Sequence, residues 1–292
     1  MHTSISKVGF IGTGVMGRSM AEHVMKGGYE LHIYTRTKSK AEELIEGGMR
    51  WHDHPEELAR ECDAIITMVG YPSDVEELYL GERGLIAHAK PGAYLIDMTT
   101  SSPALALRIY KEAKSRGIHA LDAPVSGGDV GARNAALSIM AGGDEHAFEA
   151  VYPILERMGG QILLQGGAGA GQHTKMANQI AIASNMVGVC EALIYAKHAG
   201  LRLDGVLQSI STGAAGSWSL SQLAPRMIAG NFEPGFYIKH FIKDMGIALQ
   251  SADEMGIELP GLALARELYQ RVADAGFADK GTQALYLAWD QG

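Results

Sequence analysis

The sequence predicts an α/β protein, with an N-terminal parallel-sheet domain and a C-terminal all-α domain opened by one long interdomain helix. Three observations predict this class. Short apolar runs alternate with helical stretches through the first half, a glycine-rich joint at residues 166–171 ends the alternation, and helical spacing alone follows. Strict alternation of strand and helix calls for parallel strands, with the connecting helices covering both sheet faces. Strands are read at residues 7–11, 31–34, 64–69, 93–97 and 119–123, and two more at 136–140 and 161–164. Between them, helices are read at 16–26, 38–46, 55–61, 74–80, 103–116 and 145–158. Beyond the joint, a single helix over residues 171–197 would be roughly 40 Å long at about 1.5 Å per residue. Helical spacing returns at 203–211, 219–229, 238–254, 260–275 and 282–290, with breaks at Pro225, Pro234 and Pro260. The expected division is 1–165 and 166–292.

Composition narrows the functions this chain can serve. Its 292 residues carry 25 Lys+Arg against 33 Asp+Glu, a formal charge of −8, with no long basic run, so nucleic acid is not an expected partner. Cys62 and Cys190 are too few for a disulfide framework and do not make a zinc motif, and no metal site is expected. The polar residues 1–6 lead straight into the first strand, so no signal peptide is expected. The apolar stretch 176–196 is interrupted by Asn178, Gln179, Asn185 and Glu191, which suits a buried helix and not a membrane span. A cytoplasmic protein is expected. The 37 glycines cluster at 12/14/17, 127/128, 142/143 and 166–171, as turns that bring backbone close to a ligand would require.

Residues 7–17 read K-V-G-F-I-G-T-G-V-M-G, an apolar strand followed by G-x-G-x-x-G and a helix. Gly12 suits the tight turn, Gly14 the close approach of a pyrophosphate, and Gly17 the packing of helix on strand. The loop residues Thr13, Val15 and Met16 complete a Rossmann-type dinucleotide site at the helix N-terminus, where unpaired N–H groups favour anions. An NAD site normally ends the second strand with an acid; here the chain reads Tyr34-Thr35-Arg36-Thr37-Lys38. Arg36 suits the 2′-phosphate of NADP, and Thr35 and Thr37 can add hydrogen bonds, so NADP (NADPH) is the expected cofactor, with NAD as the alternative.

Two further segments carry chemistry. The turn Ser126-Gly127-Gly128 follows the strand at 119–123 and offers a hydroxyl and bare N–H groups to a carboxylate. Lys175 stands near the start of the long helix with Asn178 three residues on, on the same face. A sheltered lysine can exchange a proton with an alcohol, although spacing alone favours a surface lysine. The pair Lys243-Asp244, on its own, reads as a solvated charge pair.

Together these residues resemble the β-hydroxyacid dehydrogenase family, in the branch of 3-hydroxyisobutyrate dehydrogenase and tartronate semialdehyde reductase. The resemblance runs along nearly the whole chain, through G-F-I-G-T-G-V-M-G, D-A-P-V-S-G-G at 122–128 and G-x-x-x-K-x-x-N-Q at 171–179. It implies Lys175 as the catalytic general acid/base, and Ser126, Gly127, Gly128 and Asn178 as substrate-binding residues. It also implies that Met68, Val69 and Thr100 line the cofactor, and that Lys243 reaches the active site. The expected activity interconverts a small β-hydroxy acid and its semialdehyde in a homodimer or homotetramer. The alternatives are an imine-type reductase, whose members typically replace the lysine, and a silent NADP-binding scaffold. Gly70-Tyr71-Pro72 departs from the family's usual Leu-Pro start, and Ala177 stands where 6-phosphogluconate dehydrogenases carry His.

Overall fold

The structure is a computed structural model that describes residues 5–289. The chain forms two compact units, Met1–Lys175 and Met176–Gly292. In the first, nine strands form one sheet: β1 (Lys7–Ile11), β2 (Glu30–Tyr34), β3 (Arg50–Trp51), β4 (Ala64–Thr67), β5 (Tyr94–Asp97), β6 (His119–Asp122), β7 (Val125–Ser126), β8 (Leu137–Gly142) and β9 (Gly159–Gly166). The order β3-β2-β1-β4-β5-β6 is parallel throughout. This order reverses direction at β1/β4, which leaves a crevice at the strand ends where dinucleotides bind. Beyond β6 the sheet turns antiparallel, with β8 pairing β6 and β7, and β9 then running parallel to β8.

The central strands are short and apolar because both of their faces are covered. Val8, Phe10, Ile33, Ile66 and Ile96 belong to one buried cluster, with Met20 and Val24 of the helix Gly17–Lys26. Ile11, Ile65 and Leu95 belong to a second, with Leu58, Val75 and Tyr79. The expected strand at 64–69 ends at Thr67, so Met68 and Val69 fall in the loop beyond it. Four elements were not expected: the two-residue strands β3 and β7, and the short helices Leu85–His88 and Gly128–Arg133.

The second unit is helical. Its core gathers Met186, Cys190 and Leu193 of the helix Ala170–His198 with Phe241 and Met245 of Ile238–Glu254 and Leu268 and Tyr269 of Pro260–Val272. By length and composition the helix Ala170–His198 could cross a membrane. Here Ala183, Met186, Cys190 and Leu193 lie on one stripe and are fully buried in that core, with Glu191 and Lys197 exposed. The stretch expected as helix at 282–290 is a 3₁₀ turn over Thr282–Ala288, and residue 290 lies outside the described residues.

Candidate active site

The glycine loop leaves β1 beside β4, at the reversal of strand order. Gly12 has φ +97°, and a Cβ there would run into the Met68 carbonyl oxygen, so only glycine fits. At Gly14 a Cβ would meet nothing within 4 Å, and the residue is exposed, which leaves its backbone open to a ligand. Thr13 is buried, yet its Oγ1 has no hydrogen-bond partner among the described residues. A buried hydroxyl without a partner is costly, and a bound phosphate oxygen would relieve it. The loop therefore fits a dinucleotide. Exposed Val15 and half-buried Met16 complete it before the helix begins at Gly17.

The loops that follow the strands are laced together by backbone bonds. Gly12 N donates to Tyr34 O at 3.0 Å, Met68 N to Ile11 O at 2.9 Å and Met98 N to Thr67 O at 2.9 Å. Val69 N donates to Thr99 Oγ1 at 3.0 Å, which fixes the loop after β4 to the one that carries Thr100. Beneath them Asp97 is buried: Oδ1 accepts from Thr67 Oγ1 at 2.9 Å and from Thr99 N at 3.1 Å. Burial pushes its carboxyl up to about 6 against those bonds.

At the end of β2, Thr35 is half-buried, and Arg36 and Thr37 are exposed. The structure adds an acid that lies 38 residues away in sequence: Asp74 Oδ1 accepts from Arg36 Nη1 at 3.2 Å. The same carboxylate accepts from Tyr71 N at 3.1 Å and so closes the first turn of the helix Pro72–Leu80. Lys38 does not join Arg36; its Nζ lies 5.3 Å from the centre of the Trp51 ring.

Asp122 and Gln172 organise the other side of the crevice. Asp122, the last residue of β6, accepts from Gly169 N at 2.7 Å and Gln172 N at 2.8 Å, and so caps the helix Ala170–His198. Burial raises the Asp122 carboxyl, partly offset by these N–H bonds. Gln172, with no exposed surface, accepts at Oε1 from Ser101 N at 2.9 Å and donates from Nε2 to Thr99 O at 2.7 Å. Gly171 carries no side chain because a Cβ would meet the Met140 and Asp122 carbonyl oxygens. The first turn of this helix is thus fixed to the ends of β5 and β6, and Lys175, one turn further on, is buried at 7% exposure. Neither Asp122 nor Gln172 was expected as a functional residue. A signal existed: residues 165–172 contain no Ser, Thr, Asn or Asp to cap the helix, so the acceptor had to come from elsewhere.

Ser126 forms part of β7, opposite Ser138 of β8. Gly127 and Gly128 follow with φ of +131° and +60°; a Cβ on Gly127 would press on Leu137, and one on Gly128 would meet nothing within 4 Å. The open side of this turn is at Gly128.

In the second unit, Asn178 Nδ2 donates to Gln179 Oε1 at 2.8 Å, and Gln179 Nε2 to Asp244 Oδ2 at 2.6 Å. Lys243 Nζ lies 2.7 Å from Asp244 Oδ1, and both side chains are sheltered, at 13% and 2% exposure. The solvated pair expected from sequence is a buried one, linked through Gln179 to Asn178.

Comparison with known proteins agrees with this organisation. Residues 7–167 match the family model described as the NAD binding domain of 6-phosphogluconate dehydrogenase. Residues 169–289 match the NAD-binding model of NADP-dependent 3-hydroxyisobutyrate dehydrogenase. The chain is 60% identical to an uncharacterized oxidoreductase of Bacillus subtilis, over 97% of this chain and 98% of the relative. It is 40% identical to the 2-hydroxy-3-oxopropionate reductase of Escherichia coli, over 97% and 96%. Among solved structures, it resembles a Mycobacterium tuberculosis 3-hydroxyisobutyrate dehydrogenase with L-serine at TM-score 0.90 and 29% identity, covering 98% of this chain and 99% of that one.

Proposed function

Since the chain belongs to the β-hydroxyacid dehydrogenase family, we propose that it interconverts a small β-hydroxy acid and its semialdehyde, preferring NADPH over NADH. The observation that carries this reading is the fixed helix start. Asp122 and Gln172 tie the first turn of the helix Ala170–His198 to the loops after β5 and β6, and buried Lys175 follows one turn on, which supports a role for it beside the dinucleotide. The matched relatives' names support the substrate class, since 3-hydroxyisobutyrate and 2-hydroxy-3-oxopropionate are both short hydroxy carboxylates.

Gly12, Thr13, Gly14, Val15, Met16 and Gly17 hold the pyrophosphate, and Thr35, Arg36 and Thr37 hold the 2′-phosphate, with Arg36 exchanging Asp74 for it. Met68 and Val69 would line the cofactor, and Thr100 would contact its nicotinamide side. When bound, the cofactor supplies the hydride. Ser126, Gly127 and Gly128 bind the substrate carboxylate and so bring its carbonyl carbon into register, which is the larger part of the acceleration. Lys175 Nζ gives its proton to the carbonyl oxygen as that oxygen gains charge, a contribution of typically 10²–10⁴-fold. In the reverse direction the neutral amine takes the proton from the alcohol. In the helical unit, Asn178 is assigned to the substrate and Lys243 to the cofactor. Exposed Tyr195 and Trp218 on that unit support a homodimer or homotetramer, which we place in the cytoplasm.

Steady-state oxidation of NADPH and of NADH against methylmalonate, tartronate and succinic semialdehydes tests the reading. Turnover of one of these with NADPH favoured is expected. Tight NADPH binding with no turnover of any of them would refute it.

A further inference from the structure

A cluster at the edge of the sheet takes no part in the proposed chemistry. His32 stands in β2 and is completely buried, on the strand face opposite Leu31 and Ile33. His52, 5% exposed, follows β3 and donates its backbone N–H to Ile33 O at 3.0 Å. Glu61 ends the helix Pro55–Glu61. His32 Nδ1 lies 2.8 Å from His52 Nε2 and 4.0 Å from Glu61 Oε2, and the three donor atoms all fall within 4.8 Å of one another. The two imidazole planes are 15° apart with centroids 5.0 Å apart, so the facing nitrogens point along one line.

We propose that His32 Nδ1, His52 Nε2 and a Glu61 carboxylate oxygen form a binding site for a divalent transition-metal ion, zinc by its donor set, that braces the β2–β3 edge. Two imidazoles and one carboxylate suit zinc, and water takes the fourth position. Outer carboxylates stand where such ligands need them. His32 Nε2 donates to Glu30 Oε1 at 3.0 Å, which leaves Nδ1 as the lone pair facing His52. Glu57 Oε2 lies 4.0 Å from His52 Nδ1 and can receive its N–H once Nε2 binds metal. Carboxylates behind ligating histidines hold the tautomer and ring in this way.

Binding requires only small movements. With metal–ligand bonds of about 2.0–2.1 Å, tetrahedral donors sit roughly 3.3 Å apart. The histidine pair therefore opens by about 0.5 Å, and Glu61 closes on His32 by somewhat more. The proton between the rings moves from His52 Nε2 to Nδ1, so His52 remains neutral. Arg50 is the competitor: Nη1 lies 2.7 Å from Glu61 Oε2, with the Arg side chain 55% exposed and free to swing out. Glu30, Glu57 and Glu61 outnumber Arg50 and Lys7 nearby, so the surroundings favour a cation. The partly exposed Glu30 and Glu61 provide the entry path.

The test uses the full chain stripped with chelator, then titrated with zinc by calorimetry and followed by thermal melting. One zinc per chain and a raised Tm are expected. Glu61→Gln, at a partly exposed position, should leave the metal-free Tm unchanged and weaken binding at least tenfold. Arg50→Gln should tighten it, and His52→Ala should abolish it. Cobalt should give the visible absorption of a four-coordinate nitrogen and oxygen site, and Glu61→Gln should lose it. Absence of stoichiometric zinc binding, or binding unaffected by both Glu61→Gln and Arg50→Gln, would overturn the proposal, whether or not His52→Ala folds.

Discussion

Gln172→Met removes the two hydrogen bonds that tie the lysine helix to the Thr100 loop while keeping nearly the same volume. Ser101 N and Thr99 O, bonded to Gln172 at 2.9 and 2.7 Å, are left without partners. Each buried group stranded in this way costs about 1–3 kcal/mol, so the first unit should lose roughly 2–6 kcal/mol. Urea unfolding reads this loss in a background that retains only Trp51, because Trp218 and Trp289 report on the second unit. Gln172→Glu separates the two bonds: it keeps the acceptor for Ser101 N but sets a carboxylate against the Thr99 carbonyl, so it should not restore stability. Turnover should fall in both variants by about 10–100-fold, since a small misplacement of a proton donor has that effect, while NADPH affinity changes less. A Gln172→Met enzyme within about 0.5 kcal/mol of the parent, with unchanged kcat, would refute the role of the staple; that margin is the ordinary spread of neutral substitutions.

Three further outcomes follow from the same geometry. Asp97 is held up at about 6 from an ordinary 3.8, so its contribution to stability is full below about pH 4 and is lost as pH rises through 6. Asp97→Asn keeps the oxygen that accepts from Thr67 and Thr99; relative to the parent it should gain roughly 3 kcal/mol between pH 4 and pH 7 in denaturant unfolding, and a constant difference would contradict the burial argument. Gly14→Ala, with open space for its Cβ, should leave Tm within a degree or two and weaken NADPH binding, whereas Gly12→Ala should destabilise the fold because its Cβ meets the Met68 carbonyl. Arg36→Ala should raise the KM for NADPH by about 10–100-fold, as loss of charge-assisted bonds to a phosphate would, with little change for NADH; equal effects on both cofactors would show that Arg36 does not read the 2′-phosphate.

The parallel half of the fold was legible because its signals are local. Each central strand is an apolar run with a turn at either end, and the G-x-G-x-x-G sits directly between a strand and a helix. The β3 strand was not legible, since two residues carry no periodicity. Nor was the antiparallel return of β8, whose apolar run reads the same in either direction. At the site, sequence order brought out residues within single motifs and missed the contacts that join motifs. Gln172 reaches Ser101 and Thr99 across 71 and 73 residues, and Asp122 reaches Gly169 across 47. Lys243-Asp244 read as a solvated pair because its partner Gln179 lies 65 residues from Asp244.

The most direct test is single-turnover reduction of a semialdehyde by Lys175→Ala, measured beside NADPH binding by fluorescence. NADPH affinity close to that of the parent, with hydride transfer slowed by about 10²–10⁴-fold, is the expected result. Hydride transfer at the parental rate would contradict the assignment of Lys175 as the proton donor, and with it the proposed mechanism.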